Sequence, residues 1–211
     1  MKRRIGLEIM SRMFLAHPLK SVQGFLKYQH YFSKKKRPKV VEKDILFSHP
    51  ICIGAYCQKP HNCPAKRFTH RCLFAETLTL YSACECCEVK KMVNIAMMLY
   101  SPFYIMTTAL NVFLDIFLSK NFSYYVVMIC GYAKQLFLFP AFVFNMKGIF
   151  FTLGKGSCKG YKEFLLADEG YKIKQTFLCP LSRKKLDKLH TYLPNKKSHK
   201  FIFKKRIYYP S

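Results

Sequence analysis

Three cysteines stand within four positions in the stretch "YSACECCEVKKM" (81–92), and two of them, Cys84 and Cys87, form a C-x-x-C. The residues that follow have helical apolar spacing, which predicts that both thiols sit at a helix N-terminus. There the helix dipole and free N–H groups favour thiolate over thiol. Thiolate is the form that binds metal. Upstream, Cys52, Cys57, Cys63 and Cys72 are spread among Pro50, Pro60 and Pro64, with His49, His61 and His70 nearby as candidate substitutes for a thiol. Such a segment reads as a loop ordered by ligation rather than by an apolar core. Downstream, Cys130 closes a β-type run and Cys158 lies in "GKGSCKG".

The elements that must position these thiols follow from periodicity. Val89, Met92, Val93, Ala96, Met97 and Tyr100 recur at i, i+3, i+4, i+7, i+8 and i+11, one apolar stripe of a helix that Ser101-Pro102 ends. "FYIMT" (103–107) reads as a short strand, and Thr108, Asn111, Asp115 and Ser119 line the polar stripe of a second helix. "YYVVMIC" (124–130) and "GIFFTL" (148–153) are β-branched or aromatic runs of the kind buried in parallel sheets, and "GYKEFLLADEG" (160–170) is a short helix closed by Gly170. This alternation predicts an α/β fold: a small parallel sheet with flanking helices, preceded by a helical basic arm and a cysteine-rich loop. Ligands of open parallel sheets collect outside the carboxyl ends of the strands, which is where Cys130 and Cys158 fall.

Composition limits what else the chain can be. Of 211 residues, 51% are hydrophobic and 16% aromatic, so a real core is expected and wholesale disorder is excluded. The net charge of +25 is uneven: residues 1–50 hold 12 Lys/Arg against 3 acids, and residues 181–211 hold 10 against 1. Residues 1–45 therefore read as a basic amphipathic arm broken at Pro18 and ending in "KKKRPK", 46–180 as the cysteine-rich loop plus α/β domain, and 181–211 as a basic tail. Such ends attract nucleic acid or an anionic membrane surface. Aromatics interleave with bases in "KSHKFIFKKRIYYPS" (197–211), a pattern that suits stacking of RNA bases. The apolar segment 133–145 reads as a surface for a protein partner. Glu8 and Arg12 interrupt the apolar start, so no export signal is read and the expected location is cytoplasmic, with reduced thiols. The uncharged stretch 92–114 supports an alternative, a small multi-pass membrane protein.

The order "HNCPAK" (61–66), C-x-x-C before a helix, "FYIMTTALNVFLDIF", "YVVMIC" and "MKGIFFTLGKGSC" resembles the uncharacterised, cysteine-rich domain-of-unknown-function family 116 of archaea and bacteria, over residues 46–160. The chain departs from that pattern at "MTTAL", where the family has a Gly-rich turn, and in the compressed "CECC". The resemblance implies a metal or iron–sulfur role and matches Cys63, Cys84, Cys87, Cys130 and Cys158 to family cysteines, with Cys52 or Cys57 as a further match. The first five supply enough soft ligands for one centre. Because they come from separated elements, the expectation is an iron–sulfur cluster rather than zinc. With Cys52 as the sixth, these residues form the candidate metal set. No G-x-S-x-G, H-E-x-x-H or Walker loop marks a reaction.

Overall fold

The computed structural model describes residues 5–33, 48–193 and 199–211, so the run 34–39 lies outside the described residues. Four parallel strands make the centre: β1 Ile51–Ala55, β2 Phe103–Met106, β3 Tyr124–Ile129 and β4 Lys147–Thr152. Two antiparallel strands, β5 Phe201–Lys204 and β6 Ile207–Pro210, extend the β2 edge to give the order β4-β3-β1-β2-β6-β5. The α/β expectation holds, with two corrections. The cysteine-rich segment is not all loop, because its residues 51–55 form the central strand β1, hydrogen-bonded to β2 and β3 on either side. It carries no period-2 alternation since all five residues are buried, as in a strand covered on both faces. The segment 181–211 is not a loose tail either.

Strand side chains alternate between two faces. Cys52, Phe103, Ile105, Val126, Met128 and Phe151 point to one face. There they meet α4 (Glu88–Leu99) through Met92, Val93 and Ala96, and α8 (Pro180–Tyr192) through Leu186 and Leu189. Ile51, Ile53, Tyr104, Tyr125, Val127 and Ile129 point to the other. This second face is covered by α1 (Ile5–Ala16), by α5 (Ala109–Val112) with the π-turn Phe113–Phe117, and by α6 (Gly131–Val143). The result is a helix–sheet–helix sandwich. Two short helices complete it, α3 (Leu73–Thr77) and α7 (Tyr161–Asp168).

The apolar segment 133–145 lies in α6 and is covered within the chain by α2 (Pro18–Ser33). Tyr28 meets the rings of Phe139 and Phe142 edge-on. Gly24 is required at this crossing, since a Cβ there would run into Val143, whose backbone nitrogen would be 2.9 Å away. Among the described residues, no helix is long and apolar enough to cross a membrane. The polar stripe after Thr108 instead receives the terminal hairpin: Arg206 donates to Asn111 Oδ1 at 2.9 Å and to Asp115 Oδ1 at 2.8 Å. Phe201 and Tyr208 of that hairpin are buried in the core, which removes two of the rings expected to stack on bases.

Candidate functional site

Seven of the ten cysteines line two separate cavities near the turn Tyr56–Gln58 that leaves β1. The first set is built around Lys59, which is 1% exposed. Its ammonium donates to the carbonyls of Lys66 (3.3 Å), Thr69 (2.8 Å) and Arg71 (2.7 Å) and to Thr69 Oγ1 (3.2 Å). One buried cation therefore folds residues 60–72 into a fixed loop. Gln58 anchors the turn itself, accepting from Ala55 N at 3.2 Å and donating to Met128 O at 3.1 Å. Arg67 ties the loop back, donating to the carbonyls of Lys59 (3.1 Å) and Cys57 (3.2 Å).

Cys63 and Cys72 hang from this loop, Cys84 ends the 3₁₀ turn Ser82–Cys84, and Cys87 caps the N-terminus of α4. All four line one small cavity with Pro60, Pro64 and Phe74. Burial pushes Cys72 up to about 11 and Cys87 up to about 12. Helix-terminal N–H groups of Val89 and Lys90 pull Cys87 the other way and lose to desolvation. The sequence expectation of a dipole-stabilised thiolate at Cys87 is thus reversed. Burial also lowers Lys59, opposed by the nearby Cys63, Cys72 and Cys87. A cation at this cavity would compete with burial by stabilising thiolates. Among the described residues, no group of three or more His, Cys, Asp or Glu is placed to hold a single metal ion.

The second set lies at the carboxyl edge of the sheet. β2 follows β1 to one side and β3 returns to the other, so the strand order reverses between β1 and β3, where open α/β sheets form a crevice. A cavity of about 100 Å³ sits there, lined by Cys57 after β1, Cys130 after β3 and Cys158 after β4. Cys130 caps α6, its sulfur accepting from Ala133 N at 3.3 Å. Cys57 accepts from Thr176 Oγ1 at 3.1 Å, and Cys158 accepts from Lys172 Nζ at 3.0 Å. A hydrogen bond from Cys130, together with Lys172, draws Cys158 down to about 6. The same hydrogen bond and burial raise Cys130. Gly156, at φ +76°, shapes the loop that delivers Cys158, because any side chain there would meet the Gln175 carbonyl.

The candidate metal set is therefore divided. Cys63, Cys84 and Cys87 share the Lys59 cavity, Cys130 and Cys158 share the sheet-edge cavity, and Cys52 lies in mid-strand, fully buried, opposite Phe103 and Val126. Cys52 sits among core side chains, and burial alone raises its thiol. Sequence reasoning missed Cys72, Lys59 and Lys172 as site residues and offered Cys57 only as the alternative to Cys52. Cys72 was findable as the remaining cysteine between Cys63 and the C-x-x-C. The two lysines carry no spacing signal. His70 makes no thiol substitute: its Nδ1 is 2.7 Å from Ile105 O and its Nε2 is 3.0 Å from Thr107 Oγ1. No family model, curated protein or solved structure matches this chain.

Proposed function

We propose that Cys63, Cys72, Cys84 and Cys87 bind an iron–sulfur cluster, making the protein a metal-centre carrier. The observation that carries this reading is the arrival of four thiols from four separated positions on one small apolar cavity. A cluster spreads its cysteines over several irons, whereas a structural zinc needs all four sulfurs at about 2.3 Å from one ion. Lys59 and Lys90 beside the cavity would offset the charge of four thiolates, and the apolar walls would limit solvent access, which tunes reduction potential. When bound, the group would supply one-electron chemistry. The chain's own part is to hold four deprotonated sulfurs and brace the loop 60–72. Anaerobic purification followed by absorption spectroscopy and iron, sulfide and zinc analysis tests this. Iron and sulfide in equal amounts with visible charge-transfer absorption are expected; a folded, colourless, metal-free protein, or one holding only zinc, overturns it.

We infer a second property from the outer face of α1 and α2. On α2, Leu19, Val22 and Leu26 recur at i, i+3 and i+7 and are 79%, 50% and 59% exposed, and Leu15 near the end of α1 is 85% exposed. Arg12, Lys20 and Lys27 are exposed around them, and basic runs flank the pair in sequence at 2–4 and 34–39. An apolar stripe bordered by cations fits the surface of an anionic bilayer. Co-sedimentation with vesicles containing anionic phospholipid, but not with purely zwitterionic ones, is expected, and Leu15→Glu with Leu19→Glu should abolish it. Equal binding to both vesicle types, or binding unaffected by the double substitution, contradicts the reading.

A further inference from the structure

The sheet-edge cavity is lined by two kinds of group. Ile9, Val112, Phe117, Leu136, Phe137 and Phe164 are apolar, while Cys57, Cys130, Cys158, Asp168, Lys172 and Thr176 bring thiols and polar groups to the same space. A molecule that fits must have an apolar chain and a head that interacts with thiols. Size narrows the choice: about 100 Å³ is somewhat less than the roughly 150 Å³ cavity known to admit benzene, so a chain of roughly four to six carbons is the match. Lys172 holds Cys158 at 3.0 Å, and α6, 13 residues long, begins beside the same thiols at Cys130. A cationic donor and a helix N-terminus next to a nucleophile are what a developing oxyanion needs.

We propose that Cys158 is the nucleophile of a site that accepts a short apolar acyl group from an acyl thioester. The Cys158 sulfur, as thiolate, attacks the thioester carbonyl carbon, and a new C–S bond forms. The bond to the donor sulfur breaks, and the donor leaves as its own thiolate, which takes a proton from solvent. No oxidant or reductant is consumed. Once Cys158 carries the acyl group its sulfur has lost its negative charge, so Lys172 is free to hold the carbonyl oxygen. The chain lies along the wall formed by α1, α5 and α6. Cys57 remains a neutral neighbour, kept protonated mainly by burial.

The groups that set the Cys158 charge are Cys130 on α6, Lys172, Glu163 on α7, and Cys57 and Tyr56 after β1. Glu163 opposes ionisation, while Cys130 and Lys172 favour it. This site is independent of the proposed cluster, and its thiols are different ones.

The test is incubation of the purified protein with a synthetic hexanoyl thioester, read by intact mass and by peptide mapping. One hexanoyl group on Cys158 is expected, formed faster than an acetyl group from the matching acetyl thioester. Cys158→Ser should remove it without changing iron content, and Lys172→Met should slow it about tenfold at pH 7, with the rate recovering as pH rises towards an ordinary thiol pKa. Mapping on the unaltered protein keeps the test open should a variant misfold. Label on the exposed Cys86 instead, equal rates for acetyl and hexanoyl, or a Lys172→Met rate equal to the parent's would each overturn the proposal.

Discussion

Cys158 at the sheet edge and Cys72 and Cys87 at the Lys59 cavity sit in opposite electrostatic situations. Around the Lys59 cavity the ammonium is spent on loop carbonyls, and burial dominates, so Cys72 and Cys87 are held as neutral thiols. At the sheet edge a hydrogen bond from Cys130, with Lys172 donating to the same sulfur, draws Cys158 down to about 6, while Cys57 and Cys130 beside it are raised. Each set has a lysine. What differs is where the lysine's protons point. The comparison teaches that a cysteine's chemistry is set less by its motif than by whether hydrogen-bond donors, here Cys130 and then Lys172, reach its sulfur strongly enough to outweigh burial.

The largest effect expected from breaking this contrast is at Lys59. Lys59→Met leaves the carbonyls of Lys66, Thr69 and Arg71 without their donor in a buried loop, at about 3 kcal/mol or more in chemical denaturation. Lys172→Met should cost less stability than that, by releasing part of what lowers Cys158, and should slow the reactivity of that thiol. Next in size, Cys87→Ser is expected to abolish metal content, as chelation of the parent should, while the loop 60–72 stays braced by Lys59.

A third outcome separates the sets by pH. Alkylation of Cys158 should reach half its maximal rate near pH 6, while Cys72 and Cys87 in the metal-free protein should resist until near pH 11 and 12. Stability follows with opposite signs. Cys158 is depressed from its ordinary 9.0, so its contribution is present above that value and is lost as pH falls through about 6. Cys72 and Cys87 are raised, so theirs is present below 9.0 and lost as pH rises through about 11 and 12. The smallest effect is expected at Thr176→Val, which removes the hydroxyl donor to Cys57 and should raise that thiol slightly, with stability changed by about 1 kcal/mol.

Much of the architecture was legible in the chain. The stripe from Val89 to Tyr100 became α4, ended by Tyr100 at φ 49°, and "YYVVMIC" became β3 with Cys130 at its carboxyl end. β1 was hidden because a five-residue strand buried on both faces has no alternation, and prolines on either side read as loop. The terminal hairpin was hidden because its basic residues point outward from rings that fill the core, so charge masked burial at Phe201 and Tyr208. The site was half legible. Cys130 and Cys158 were found from their strand ends, and the C-x-x-C from its spacing. That these would belong to different cavities depends on the turn Tyr56–Gln58 and on two lysines whose partners, carbonyls 7 to 12 residues on and a sulfur 14 residues back, follow no periodic spacing.

The division of labour between the two thiol sets is most directly tested by comparing Cys87→Ser and Cys158→Ser, purified anaerobically side by side with the parent, by iron content and visible spectrum. The account predicts that Cys87→Ser loses the iron and its absorption while Cys158→Ser keeps both at the parent's level. Loss of iron in both variants, or in Cys158→Ser alone, would contradict it.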